Sequence, residues 1–267
     1  MHPIILRYEI LGNERLIAGY GVMVSIGMVA GLAMALAIAR RRGLDPINVL
    51  LVSLIAVTAG LIGSYVLFVA TMVREAIDDP SMLLRGGLVF YGGPLAAVPV
   101  AWIACRRLDV PPLRMADVAA PSLSLGHALG RMGCFLGGCC FGARWNGPWA
   151  VAFTHPLAPA ASPSLPRHPV QLYEAGVLIA ISLVTLLIWP RIRNHGLVAL
   201  GYVLCYSIWR FFAETLRADT IRGFMIPGWL STSQAISLVV IAASLVGLVV
   251  IGRRSPCIES SDGIRRP

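Results

Sequence analysis

Lysine is absent: all 22 cationic side chains among the 267 residues are arginine, set against 13 acidic ones. Charge is scarce altogether, at 13% of residues beside 57% hydrophobic ones, and the mean hydropathy is +0.76. So little charge excludes a soluble globule. The formal excess of +9 would suit nucleic acid, yet no basic tract of about 5–8 residues interleaved with aromatics occurs. The arginines gather at the ends of apolar runs, the pattern of membrane orientation, and nucleic acid is not an expected partner. A Cys-x-x-Cys redox motif is missing, and no internal repeat supports the inverted-repeat logic of transporters. Residues 1–19 carry Arg7, Glu9 and Arg15 without a small-residue cleavage site, so the first apolar span is expected to serve as an uncleaved insertion signal. Neither a lipid-modification sequence near Met1 nor a C-terminal prenylation box is visible, and the protein itself is not expected to be lipidated.

What the chain has in abundance is long apolar runs. A hydrocarbon layer ~30 Å thick needs about 20 apolar residues per helix. Segments 20–39, 46–73, 87–105, 117–136, 170–189, 197–214 and 232–252 meet that need. The fold class is therefore all-α, a polytopic membrane protein with about seven transmembrane helices in a single integral membrane domain over 1–267. The fourth span is interrupted by Asp117, Pro121, His127 and Arg131, and the second has Gly60 and Gly63 as soft points. Arg40 to Arg42, Arg106, Arg107 and Arg114, Arg191 and Arg193, and Arg253 and Arg254 all fall on one side of such a bundle. That side is expected to be the cytoplasm, with the N-terminus outward and the C-terminus inside. The 74–86, 138–168 and 215–231 connections then face outward. The 138–168 stretch, with Trp145 and Trp149 suited to headgroup level, is read as an interfacial segment between the fourth and fifth spans.

Buried charge is where chemistry is sought. Tyr206, Arg210, Glu214 and Arg217 recur at helical spacing, which predicts one polar stripe. An Arg210–Glu214 pair would simply neutralise itself, but Arg217 adds a second cation to one carboxylate, and the surplus suits a phosphate. Arg131 in GRMGCFLGGCCFG has two readings, an arginine snorkelling to the outer interface and one holding a ligand, with His127 one turn earlier. In RHPVQLYEA, Pro169 is placed to start a helix, and Glu174 either answers the helix dipole or orients an arginine. Gln171 and Tyr173 add uncharged hydrogen-bonding groups. GGLVFYGG sets Tyr91 between glycines that permit close helix packing, and Tyr20 opens the first span. Cys134, Cys139 and Cys140 leave open a disulfide or a packed set of thiols. Their C-x4-C-C spacing lacks the paired form of a zinc motif, and neither metal nor cofactor is expected.

Taken in order, GYGVMVSIG, GGLVFYGG, DVAAPSLSLGHALGRMG, RHPVQLYEA, YSIWRFFAETLR and STSQAISL resemble the prolipoprotein diacylglyceryl transferase family over most of the chain. The resemblance implies a bacterial cytoplasmic (inner) membrane enzyme with seven spans, an outward N-terminus and an active site toward the outer leaflet. It implies transfer of the diacylglyceryl group of phosphatidylglycerol to the lipobox cysteine thiol of prolipoprotein signal peptides, releasing glycerol phosphate. Membrane lipids and those signal peptides are the implied partners. By position, Arg131 and Arg210 would be the essential phosphate-binding arginines, with Tyr20, Glu174, Tyr206, Glu214 and Arg217 around them and Gly142 closing the signature. The family signature usually has asparagine where Cys134 stands and glutamate where Cys139 stands, and a family arginine is replaced by Ile62. Some members have a histidine, proposed as the base, at the Tyr91 position, which leaves Tyr91 and His127 as the two candidates for a base here. Two other classes stay open: a phosphatidylglycerol-binding or lipid-transport protein without turnover, and a thiol-redox membrane protein.

Overall fold

The computed structural model describes residues 3–10, 13–73, 77, 79–81, 87–158, 165–217, 224–226 and 230–253. Among them stand seven α-helices: α1 (Gly19–Arg41), α2 (Pro46–Thr71), α3 (Gly92–Arg107), α4 (Pro112–Gly137), α5 (Val170–Ile188), α6 (Leu197–Ala213) and α7 (Thr232–Gly252). A hairpin of β1 (Ile4–Ile10) and β2 (Asn13–Ala18) precedes α1, and the short β3 (Phe224–Ile226) and β4 (Leu230–Ser231) precede α7. With no larger sheet among the described residues, the chain is an all-α polytopic membrane protein. Each predicted apolar run has become one helix, with ends shifted by a few residues.

Five of these helices are long and apolar enough to cross a membrane by length and composition: α1, α2, α5 continued to Arg191, α6 continued to Leu216, and α7. The other two are set apart by their sequences. α3 has 16 residues, about 24 Å at 1.5 Å per residue, short of a ~30 Å hydrocarbon layer. α4 is long, at 26 residues, but carries Arg114, Asp117, His127 and Arg131. Large apolar side chains such as Val29, Leu95, Leu123, Leu187 and Val239 stand exposed on the helices, while Gln171, Glu174, Ser182, Thr185 and Arg210 are buried. That inversion is what a lipid solvent selects, since polar groups there need protein partners.

The chain divides into two compact units, Leu32–Val118 and the remainder, with the boundaries falling inside α1 and α4. In the first of these, α2 packs along α3. Asp45 caps α2 by accepting a hydrogen bond from the Ile47 amide at 3.0 Å, with Pro46 at the first helical position, where its missing N–H costs nothing. A Cβ on Gly92 would strike the Gly63 carbonyl, and one on Gly93 would sit 3.0 Å from Ser64 Oγ. The GGLVFYGG glycines thus permit backbone contact, and Gly63 is a packing point in the second span.

The other unit is built on α4 and α5. Ser124 Oγ donates to the Leu178 carbonyl at 2.7 Å, and Ser182 Oγ to the Pro121 carbonyl at 2.9 Å. The start of α1 runs against α4 through small residues, a Cβ on Gly27 falling 2.7 Å from the Gly126 carbonyl. α6 packs on both α5 and α7. α7 begins with a capping box in which Ser231 and Gln234 satisfy each other's backbone amides at 3.1 and 3.0 Å. These contacts present the polar faces of α4, α5, α6 and α7 to a common interior.

Candidate active site

α5 begins directly after Pro169, as its sequence predicts, and buries Gln171, Glu174, Ala175 and Leu178, one face of a 3.6-residue repeat. Glu174, with no exposed surface, is the hub of the site. Its Oε1 atom faces Arg131 Nη2 of α4 at 3.0 Å and accepts a hydrogen bond from the Tyr206 hydroxyl of α6 at 2.9 Å. His127, one turn before Arg131, places Nε2 3.9 Å from the same oxygen and packs edge-on to the Tyr206 ring at 5.1 Å. Glu174 therefore orients an arginine, and that arginine is Arg131. An interface-snorkelling Arg131 does not fit this pairing with a buried carboxylate.

Arg210, buried at the end of α6, carries the second ion pair, with Nη2 at 2.6 Å from Glu214 Oε2 and 3.3 Å from Ser233 Oγ of α7. His127 lies within electrostatic reach of both Arg131 and Arg210. Ser233 escaped the sequence reading. Its signal was the polar STSQ opening of the last apolar run, which otherwise reads as a helix cap.

The predicted stripe from Tyr206 to Arg217 is corrected in its last turn. α6 ends at Ala213, Glu214–Leu216 form a 3-10 turn, and Arg217 has left the helix in extended conformation. Helical spacing cannot be extrapolated past a helix end, so Arg217 does not share Glu214 along one face. Its backbone pairs with Gly142, and its side chain hydrogen-bonds to Cys140. Gly142 is pressed against the start of α5: a Cβ there would come within 2.6 Å of His168 Cβ and 2.7 Å of Val170 Cγ2. The stretch after α4 is knitted to this point by the Gly142 amide donating to the His168 carbonyl at 3.0 Å and the Ala143 amide to the Leu216 carbonyl at 2.8 Å. Trp145 stacks on His168 at 4.3 Å within the same fold.

Tyr20, half exposed at the start of α1, lies beside Gly133 of α4, where a Cβ would meet the Tyr20 carbonyl at 3.1 Å. Tyr91 belongs to the Leu32–Val118 unit, where it precedes α3 with its ring edge-on to Phe90 at 5.9 Å. Cys134, Cys139 and Cys140 are free thiols whose sulfurs lie within 4.8 Å of one another, so the disulfide left open by the sequence is not formed. Hydrogen bonds from Cys134 and Cys139, with Arg217 alongside, hold the Cys140 thiol well below its ordinary pKa.

Several polar atoms of the site are buried without a hydrogen-bond partner among the described residues: Arg131 Nε, Arg210 Nη1 and Glu174 Oε2. Native structures leave few such atoms, and donors of this kind mark where a ligand is held. Two guanidinium groups, each anchored by one carboxylate and each keeping an unused N–H, suit a phosphate ester. The anchoring carboxylates fix the forks in place before the ligand arrives, which is how electrostatic stabilisation avoids reorganisation during reaction.

The chain is similar to known proteins over most of its length. A family model described as prolipoprotein diacylglyceryl transferase matches residues 10–250. The phosphatidylglycerol–prolipoprotein diacylglyceryl transferase of Clostridium tetani is 31% identical over 94% of this chain and 96% of its own length. A second enzyme of that name, from Clostridium perfringens, is 30% identical over 89% of this chain and 91% of its own. A third, from Legionella pneumophila, is 36% identical over 62% of this chain and 64% of its own. The match embraces every helix that contributes to the arginine and glutamate cluster, and the chain belongs to the prolipoprotein diacylglyceryl transferase family.

Proposed function

We propose that this protein transfers the diacylglyceryl group of phosphatidylglycerol to the lipobox cysteine thiol of prolipoprotein signal peptides, with release of glycerol phosphate. The observation that carries the proposal is the pair of anchored arginines, Arg131 on Glu174 and Arg210 on Glu214, each with a buried N–H left over. The thiol sulfur attacks the glycerol carbon that bears the phosphate ester, and charge develops on the departing phosphate. Arg131 and Arg210 meet that charge, Tyr206 and Glu174 hold Arg131 in orientation, and Glu214 and Ser233 hold Arg210. Tyr20, Arg217 and Gly142 shape the rest of the substrate-binding region. Either His127 or Tyr91, the two candidates read from the sequence, takes the proton from the thiol.

The protein acts as a multi-pass protein of the bacterial cytoplasmic membrane, N-terminus outward, with its site toward the outer leaflet. A purified preparation mixed with phosphatidylglycerol and a lipobox peptide is expected to add the mass of a diacylglyceryl group to the peptide cysteine. Arg131→Ala and Arg210→Ala should each lower that rate by about 10²–10³-fold, the usual effect of removing one donor to a developing anion. Full activity in both variants would overturn the assignment. A second reading, lipid binding without turnover, draws on Cys134 and Cys139, which stand where the resemblance would put asparagine and glutamate. It predicts bound phosphatidylglycerol and no mass shift.

A further inference from the structure

The phosphate-binding arrangement leaves three thiols unused. Cys134 lies on the last turn of α4, Cys139 and Cys140 follow in the next turn, and all three sulfurs are within 4.8 Å of one another. The spacing along the chain does not suggest this convergence; the backbone imposes it. Gly138 takes φ +70° and Cys140 takes φ +60°, a left-handed conformation that a residue with a side chain keeps only when its surroundings demand it. Those surroundings are specific. The Cys139 amide donates to the Cys134 carbonyl at 3.1 Å, the Gly138 amide to the Phe135 carbonyl at 3.2 Å, and the buried Gln171 side chain to the Cys139 carbonyl at 2.7 Å.

Three sulfurs cannot all be paired as disulfides, but one soft ion takes all three. Zinc–sulfur bonds of about 2.3 Å set tetrahedral sulfurs roughly 3.8 Å apart, so shifts on the order of 1 Å close the set. Three thiolates around a divalent zinc leave a net charge of about −1. Arg217 and Arg131, both within electrostatic reach of the cluster, lie where they offset it. Cys134 is buried while Cys139 and Cys140 are half-buried, which leaves one side of the set open. Three protein ligands with an open fourth position are the mark of a catalytic zinc site rather than a structural one.

We propose that Cys134, Cys139 and Cys140 bind one zinc ion whose fourth position takes the thiol of the substrate cysteine. The metal site stands on the cysteine cluster alone; the role of its fourth position rests on the transferase reading. On binding, the substrate S–H gives its proton to the base proposed above, a transfer that zinc eases because a coordinated thiol is deprotonated. The thiolate then forms a C–S bond to the glycerol carbon as the C–O bond to the phosphate breaks. The electron pair leaves with the oxygen as glycerol phosphate, and the thioether, a poorer ligand, departs. No oxidant or reductant is consumed.

The test uses the full chain purified in detergent. Wild type and the Cys205→Ser control should carry about one zinc per chain, and the Cys134→Ser/Cys139→Ser/Cys140→Ser variant less than about a tenth of that. Replacement of zinc by cobalt should give sulfur-to-cobalt charge-transfer bands. Its visible bands should shift when a lipobox peptide is added and stay fixed with the serine version of that peptide. Absence of zinc and cobalt binding by wild type, equal metal in the triple variant, or a disulfide among the three cysteines in place of metal would overturn the site. A cobalt spectrum unmoved by the cysteine peptide would overturn the fourth-position role. Diacylglyceryl transfer measured on the same preparations separates the two readings: undiminished transfer by the triple variant defeats the fourth-position role and leaves the transferase standing. A metal-loaded wild type that transfers nothing defeats the transferase and leaves the metal content to stand by itself.

Discussion

Glu174 shows how one buried carboxylate can organise two partners at once. It has no exposed surface, and one of its oxygens serves both Arg131 at 3.0 Å and Tyr206 at 2.9 Å. Breaking a buried ion pair from one side strands the other charge, at a cost of about 3–5 kcal/mol, whereas removing both charges relieves most of it. Arg131→Met is therefore expected to lower the thermal unfolding midpoint in detergent. Arg131→Met/Glu174→Gln should recover much of that loss while remaining inactive, since a glutamine still accepts the Tyr206 hydrogen bond. Equal midpoints for the single and double variants would show that the pair does not couple. The sequence made the individual charges legible, because arginine and glutamate inside apolar runs stand out. It did not reveal which carboxylate serves which arginine, because Arg131 and Glu174 meet through the packing of α4 on α5 and not through any shared spacing. The three cysteines were illegible for a related reason: their convergence comes from left-handed backbone at Gly138 and Cys140.

Among elements, the helices were legible nearly to their ends, since a run of about 20 apolar residues admits few other structures in lipid. The hairpin before α1 was not, because Arg7, Glu9 and Arg15 read simply as a polar leader to the first span. The stretch following α4 was legible as a connection but not as an anchored piece of the site. Its register is held by isolated pairings, Gly142 with Arg217 and Arg167 with both Arg144 and Val151. The first of these brings Gly142 against His168 and Val170, where a methyl group has no room. Gly142→Ala should push this stretch off the start of α5, disturb the Gln171 bond to Cys139, and cost about 1–3 kcal/mol of stability, as overpacking does. Gly176→Ala, at an open position of α5, is the control. It should be neutral or stabilising by up to about 1 kcal/mol through helix propensity. Diacylglyceryl transfer and unfolding midpoints measured on both variants decide the matter; a Gly142→Ala protein as stable and active as the Gly176→Ala protein would refute the close-packing argument.

For the whole molecule, arginine placement supports the proposed orientation. α1 ends in Arg40 and Arg41, α3 in Arg106 and Arg107, α5 is followed by Arg191 and α7 by Arg253. α2 and α4 have no basic residue in their last turns, and α6 spends its terminal arginine, Arg210, on Glu214 and Ser233. If each helix crosses once, the ends of α1, α3, α5 and α7 share a side, and the positive-inside tendency makes it the cytoplasm. The Arg131 end of α4 and the start of α5 then face outward, toward the leaflet from which a translocated signal peptide is met. Fusions to the full chain test this. Green fluorescent protein joined at the C-terminus should fluoresce, and alkaline phosphatase joined there should be inactive, because its disulfides form only in an oxidising compartment. Alkaline phosphatase inserted after Gly147 should be active. The reverse pattern would turn the bundle over and place the arginine pair at the inner leaflet, where a thiol acceptor would have to be engaged before export rather than during it.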